Sequence, residues 1–138
     1  MRIRDKIKKP QRPVVAYEIL PPREKDGTLN SYAETISSLL SQTHIDAINI
    51  PEVHDEVGRG DRPVVNQKRG EPREFGMLLQ DIVGIEAIIN RVVVHDPYDR
   101  QMKWLEETNT KYEIENMIIV GGESSKVSYP GPTVNEAL

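Results

Sequence analysis

The sequence predicts an α/β fold of parallel strand–helix repeats, and three observations carry that reading. Short apolar runs rich in β-branched residues recur at 14–20, 45–50, 86–94 and 117–120. Segments with helical spacing of their apolar residues separate these runs. Proline, glycine or capping residues mark most of the junctions. Runs that are apolar throughout suit strands covered on both faces of a parallel sheet. The resulting β-α-β-α-β-α-β order builds either an open doubly wound sheet or half of an eightfold barrel. Residues 1–13 precede it as a basic leader, and 14–138 form the domain.

The leader carries Arg2, Arg4, Lys6, Lys8, Lys9 and Arg12 against a single Asp5. It lacks the interleaved aromatics of a nucleic-acid arm, and Pro10 and Pro13 stop any helix before the first strand. A solvated leader or a short lid helix is expected. Val14 to Leu20 reads as a first strand buried on both faces, ended by Pro21-Pro22. Within it, Glu18 shares a face with Ala16 and Leu20. A carboxyl group in an apolar strand end has two readings. It is a general acid whose burial favours the protonated form, or the partner of an arginine such as Arg23 or Arg91.

Ser31-x-x-Glu34 reads as a capping box opening the first crossover helix, with Tyr32, Ile36, Leu39 and Leu40 on its apolar face. Ile45–Ile50 is the second strand, stopped by Pro51. The stretch from Glu52 to Arg73 holds three glycines, two prolines and five basic residues, and reads as a long solvated loop, the alternative being that its charges receive an anionic ligand such as a phosphate or a glutamate tail. Pro72 suits the first turn of the next helix, whose buried stripe is Phe75, Leu78, Leu79 and Ile82. Glu86 to Val94 is the third strand, with polar Asn90 and Arg91 inside it. Asp96-Pro97 reads as an N-cap followed by proline at the first helical position. That helix turns Tyr98, Met102 and Leu105, with Trp104 beside them, toward the core. Met117 to Val120 is the fourth strand and runs into Gly121-Gly122-Glu123. Thr133-x-x-Glu136 is a further capping box, so the sequence as given breaks off in its fourth crossover helix.

Composition excludes several classes. The 138 residues include no cysteine and carry a formal net charge of -4, so thiolate chemistry and zinc–cysteine sites are out. No apolar run approaches the roughly 18 residues of a membrane span, and a soluble, cytoplasmic protein is expected. His44, His54 and His95 are not spaced as metal ligands, so no metal is expected. The absence of GxGxxG after the first strand disfavours a dinucleotide-binding sheet.

Tyr17-Glu18-Ile19-Leu20-Pro21-Pro22-Arg23 resembles the first-strand signature of methylenetetrahydrofolate reductases. The later rhythm of strands, with the fourth ending in Gly122-Glu123, is similar to that family too. The resemblance covers most of Val14 to Leu138. It implies parallel βαβ repeats forming about half of a (β/α)8 TIM-type barrel, truncated within its fourth helix. It further implies FAD as cofactor, with NAD(P)H and a folate-type molecule as substrates. Nucleic acid and membrane are not expected as partners. Glu18 matches the catalytic acid that protonates the folate so that its five-membered ring opens to an iminium. Glu123 matches the acidic residue beside the flavin pyrimidine edge, with Gly121 and Gly122 allowing close approach of the ring. Asn90 falls nearest a histidine of the family's third strand. Where the family often has Arg-Gly-Asp, this chain has Gly121-Gly122-Glu123, and Ile50-Pro51-Glu52 replaces a threonine-containing turn. Either the sequence is a fragment of a longer protein, the favoured expectation, or a homo-oligomer or a partner chain completes the barrel. The alternative is a non-catalytic half-barrel that pairs through its exposed strand edges.

Overall fold

A computed structural model of the chain describes residues 2–53, 68–122 and 125–138. The elements run α1 (Ile3–Lys8), β1 (Ala16–Glu18), α2 (Leu29–Leu40), β2 (Ala47–Pro51), α3 (Pro72–Val83), β3 (Ala87–Val92), α4 (Tyr98–Thr110), β4 (Asn116–Val120) and α5 (Val134–Ala137). The four strands form one parallel sheet in the order β1-β2-β3-β4. Each strand thus pairs with the next along the chain through a helical crossover, as the alternation of runs predicts.

The sheet is one-sided. Ile48 and Ile50 of β2 and Ala87 and Ile89 of β3 point to the same face and are fully buried. They form the core with Ala33 and Leu40 of α2 and with Phe75 and Leu79 of α3. Trp104 of α4 packs against the same cluster. The three long crossover helices therefore cover one face only. On the opposite face Ala47 is buried, but Glu18, Asn49, Pro51, Ile88, Asn90, Val92, Ile118 and Val120 are half-buried or exposed.

That asymmetry corrects the expectation of a first strand buried on both faces. Only Ala16–Glu18 is strand, and all three residues are exposed. β1 is an edge strand: Ala16 and Glu18 lie on the uncovered face, and Tyr17, which pairs with Ile48 on the helix-covered face, is exposed as well. Ile19, Pro21 and Pro22 beyond it are buried. They are anchored by the segment entering α3: Arg69 Nη1 donates to the Pro21 carbonyl at 2.8 Å, and Gly70 N to that of Pro22 at 2.9 Å.

Helix boundaries follow local chemistry. Thr28, not Ser31, caps α2 by accepting from the Ser31 amide, which brings Leu29 into the helix and against the core. Leu39, expected inside, is exposed. In α3, Pro72 occupies the first turn behind an Glu71 cap, and Gly84 ends the helix at φ 72°, a conformation cheap only without a Cβ. Ile82 of this helix is exposed. Asp96 does not cap α4, because its carboxylate is drawn to Arg91; Pro97 takes the cap position instead. Tyr98 and Met102 are exposed, and the buried face of α4 consists of Gln101 and Thr108. The capping box of Thr133 and Glu136 is complete, both hydrogen bonds being present.

The leader forms a short helix, α1, and is largely exposed, but it is held against the sheet. Ile3 is buried, and its amide donates to the Glu86 carboxylate just before β3. Asp46, just before β2, binds Lys6 at 2.9 Å, Arg12 at 2.7 and 3.0 Å, and the Val15 amide at 2.9 Å. The leader is thereby stapled to the N-terminal ends of the strands. The Val15 amide first, then Arg12 and Lys6, hold the Asp46 carboxyl well below the usual carboxylate range. A carboxyl lowered by folding stabilises above its unfolded value, near pH 4, and loses that contribution as acid protonates it. Hydrogen exchange should therefore show the Val15 amide losing protection below about pH 4, before the amide of Ile48 in the sheet interior does. Equal protection of both amides through that range would refute the staple.

Candidate active site

The expected site residues come from strand ends, so their faces decide whether they meet. Register pairs Glu18 with Asn49, Asn49 with Ile88, and Pro51 with Asn90. Paired residues of a parallel sheet point to one side, which sets Glu18, Asn49 and Asn90 together on the uncovered face. Glu18 is the last residue of β1 and is exposed. This corrects the expectation of a buried carboxyl. Neither arginine considered as its partner is engaged with it: Arg23 pairs with Asp26, and Arg91 with Glu52 and Asp96. Glu18 Oε2 instead accepts a hydrogen bond from Asn49 Nδ2 at 3.1 Å.

Asn90 contributes a shielded carbonyl oxygen, Oδ1, with no hydrogen-bond partner among the described residues, and Asn49 Oδ1 is in the same state. A shielded acceptor without a donor is unfavourable, and native folds keep few of them. Two on neighbouring strands of one face mark it as a surface with unmet demand for N–H or O–H donors.

Gly121 and Gly122 follow directly on β4. A Cβ on Gly121 would stand 3.5 Å from Val134 Cγ2, an ordinary contact. On Gly122 it would meet the Tyr129 ring at 2.2 Å. The close approach that Gly122 permits is thus made by the chain's own Tyr129. Tyr129 also meets His95 edge-on, with ring centroids 5.7 Å apart. Two residues on, Gly131 donates its amide to the Val94 carbonyl at 2.8 Å. A side chain there would strike the Asp96 and Val93 carbonyl oxygens. Residues 125–132 therefore strap the C-terminal ends of β3 and β4. Glu123, the remaining expected cofactor contact, lies outside the described residues, as do His54 and residues 54–67 of the long loop.

Behind the site, on the helix-covered face, Arg91 organises the strand ends. Its Nη1 donates to Glu52 at 2.8 Å, Nη2 to Asp96 at 2.6 Å and Nε to Gln101 at 2.9 Å. Glu52 in turn accepts from the Val92 amide at 3.0 Å. The guanidinium lies 4.3 Å from the Trp104 ring, which Arg73 also approaches, at 4.5 Å. Such stacking suits planar, weakly hydrated guanidinium groups. The ends of β2 and β3 and the start of α4 are locked into one ionic unit.

A cavity of about 440 Å³ opens at the other end of the sheet, between the leader and Asp46. Two of its three cations, Lys6 and Arg12, already bind Asp46. That leaves little charge to attract an anion. Among the described residues, no cluster of His, Asp and Glu could hold a metal ion, and no helix is long and apolar enough to cross a membrane.

Asn49 was not singled out by sequence. Its one available signal is a polar residue flanked by isoleucines in a strand, which gives no hint of its neighbour on β1. Compared with protein-family models and with curated proteins, the chain finds no match in either.

Proposed function

We propose that the chain supplies the first half of a (β/α)8 barrel of the methylenetetrahydrofolate reductase type, with Glu18 as its acid. The observation that carries this reading is the one-sided sheet. Helices cover one face, and Glu18, Asn49 and Asn90 share the other, toward the C-terminal ends of the strands. That is the end where barrels of parallel strands assemble their chemistry. Uncovered apolar residues Ile88, Val92, Ile118 and Val120 on the same face would become barrel interior once four further strands closed the sheet.

The residues present fit a flavin in part. The unpartnered Asn90 Oδ1 suits an N–H at the edge of the flavin ring, and Gly121 leaves its backbone open to close approach. Gly122 is covered by Tyr129 and does not. When bound, FAD would supply hydride taken from NAD(P)H. Glu18 would hold the proton delivered to the folate nitrogen, and Asn90 would orient the ring edge.

The non-catalytic alternative, a half-barrel that associates through its edges, draws on β1 being an edge strand whose residues are all exposed. Size-exclusion chromatography of the purified protein with added FAD separates the two readings. Visible flavin absorption co-eluting with an assembly larger than one chain is the expected result. A colourless assembly would favour the non-catalytic half-barrel.

A further inference from the structure

We infer that Asn49 is the positioning residue of this site, and that it selects which oxygen of Glu18 carries the proton; the inference rests on the reading of Glu18 as an acid. The Asn49 amide donates to Glu18 Oε2 at 3.1 Å. An oxygen that accepts an N–H presents a lone pair to it, so the acid proton of a protonated Glu18 resides on Oε1. Oε1 is therefore the oxygen offered to a ligand.

As a stabilising device the arrangement is poor. The hydrogen bond lies at an exposed position, and it leaves Asn49 Oδ1 shielded with no donor among the described residues. A residue like Ile48 or Ile50 would suit the strand better. Turning the amide over would aim Oδ1 at the carboxylate and lose the bond, so the unpartnered carbonyl is tied to the orientation that holds Glu18. What the pair gains is direction. Glu18 sits at the open end of an edge strand on a side chain with several rotatable bonds, and no other hydrogen bond to it is found among the described residues. Asn49 Oδ1 and Asn90 Oδ1 lie on adjacent strands of this face, offset by two residues.

Asn49→Asp keeps the shape of the side chain, removes the donor and faces Glu18 with a like charge. In the assembled, flavin-loaded protein it should lower kcat on the order of 10- to 100-fold. KM and flavin absorption should stay near wild type. Asn49→Gln, which restores an amide donor, should recover part of the loss. Wild-type kcat in Asn49→Asp would overturn the inference. A second measurement is independent of turnover: the Asn49 side-chain amide protons should shift upfield in Glu18→Ala by NMR. If the wild-type protein takes up no flavin, the reductase reading fails and the positioning role with it, and the shift then tests only the hydrogen bond between Asn49 and Glu18. Absence of the shift would overturn the pairing.

Discussion

Glu18→Gln should lower reduction of the one-carbon folate by the assembled protein on the order of 10²- to 10⁴-fold, the range of a lost general acid. Flavin binding should be unchanged. The substitution is chosen because it isolates the proton. A glutamine carbonyl can still accept from Asn49 Nδ2, so the contact at 3.1 Å and the shape of the face survive. What disappears is an acidic O–H. In the proposed step the carboxylic proton passes to a nitrogen of the folate's five-membered ring. The bond from that nitrogen to the bridging carbon breaks with its electrons going to nitrogen, leaving an iminium to receive hydride. Without the proton the leaving nitrogen must depart as an anion, which is the costly event the acid prevents. Glu18 is exposed in this chain, so its environment as an acid would depend on the strands that close over it. Stopped-flow reduction followed by flavin reoxidation with folate locates the defect: it belongs in the second half-reaction. A variant whose reoxidation matches wild type would remove Glu18 from the chemistry.

Arg91→Met should destabilise the fold by about 3–5 kcal/mol, the cost of stripping a buried ion pair of one partner. The side chain of Arg91 is 5% exposed and that of Glu52 9%, so water cannot replace the lost cation at Glu52. Asp96 would lose its closest cation as well. Methionine fills much of the volume, which limits the effect to the guanidinium's charge, its hydrogen bonds and its stacking on Trp104. An exposed pair such as Arg2–Glu115, with side chains 51% and 44% exposed, contributes at most about 1 kcal/mol by comparison. Urea unfolding is the direct measurement, and a midpoint equal to wild type would show that the network is energetically idle.

The order of elements was legible because strands and crossovers differ in period and because caps and prolines mark their ends. Burial of β1 was not. An apolar run states what could be covered, whereas coverage depends on how many helices lie on each face. The start of α2 shows two local rules in competition. Ser31 and Glu34 make the better capping box on paper, but Leu29 has core to reach, and Thr28 can cap as well. At α4, Asp96 is a good cap that tertiary structure spends elsewhere, on an arginine five residues earlier. The other carboxylate on that arginine is 39 residues away in sequence, beyond any local pattern. For the site, alternation along each strand set the faces of Glu18 and Asn90. Register between strands, which brings Asn49 to Glu18, has no signature within either strand alone. The staple at Asp46 was hidden for the same reason, since its partners lie 31 to 40 residues upstream.

The stack of Arg73, Trp104 and Arg91 has a use beyond stability. Trp104 is the only tryptophan in the chain, and its indole lies between cations carried by α3 and β3. Its intrinsic fluorescence therefore comes from a single, electrostatically defined place behind the strand ends. Emission colour and quenching would report the integrity of that junction without any label. They would do so in real time, whether the perturbation is denaturant, a bound ring on the far face, or the arrival of the strands that close the sheet.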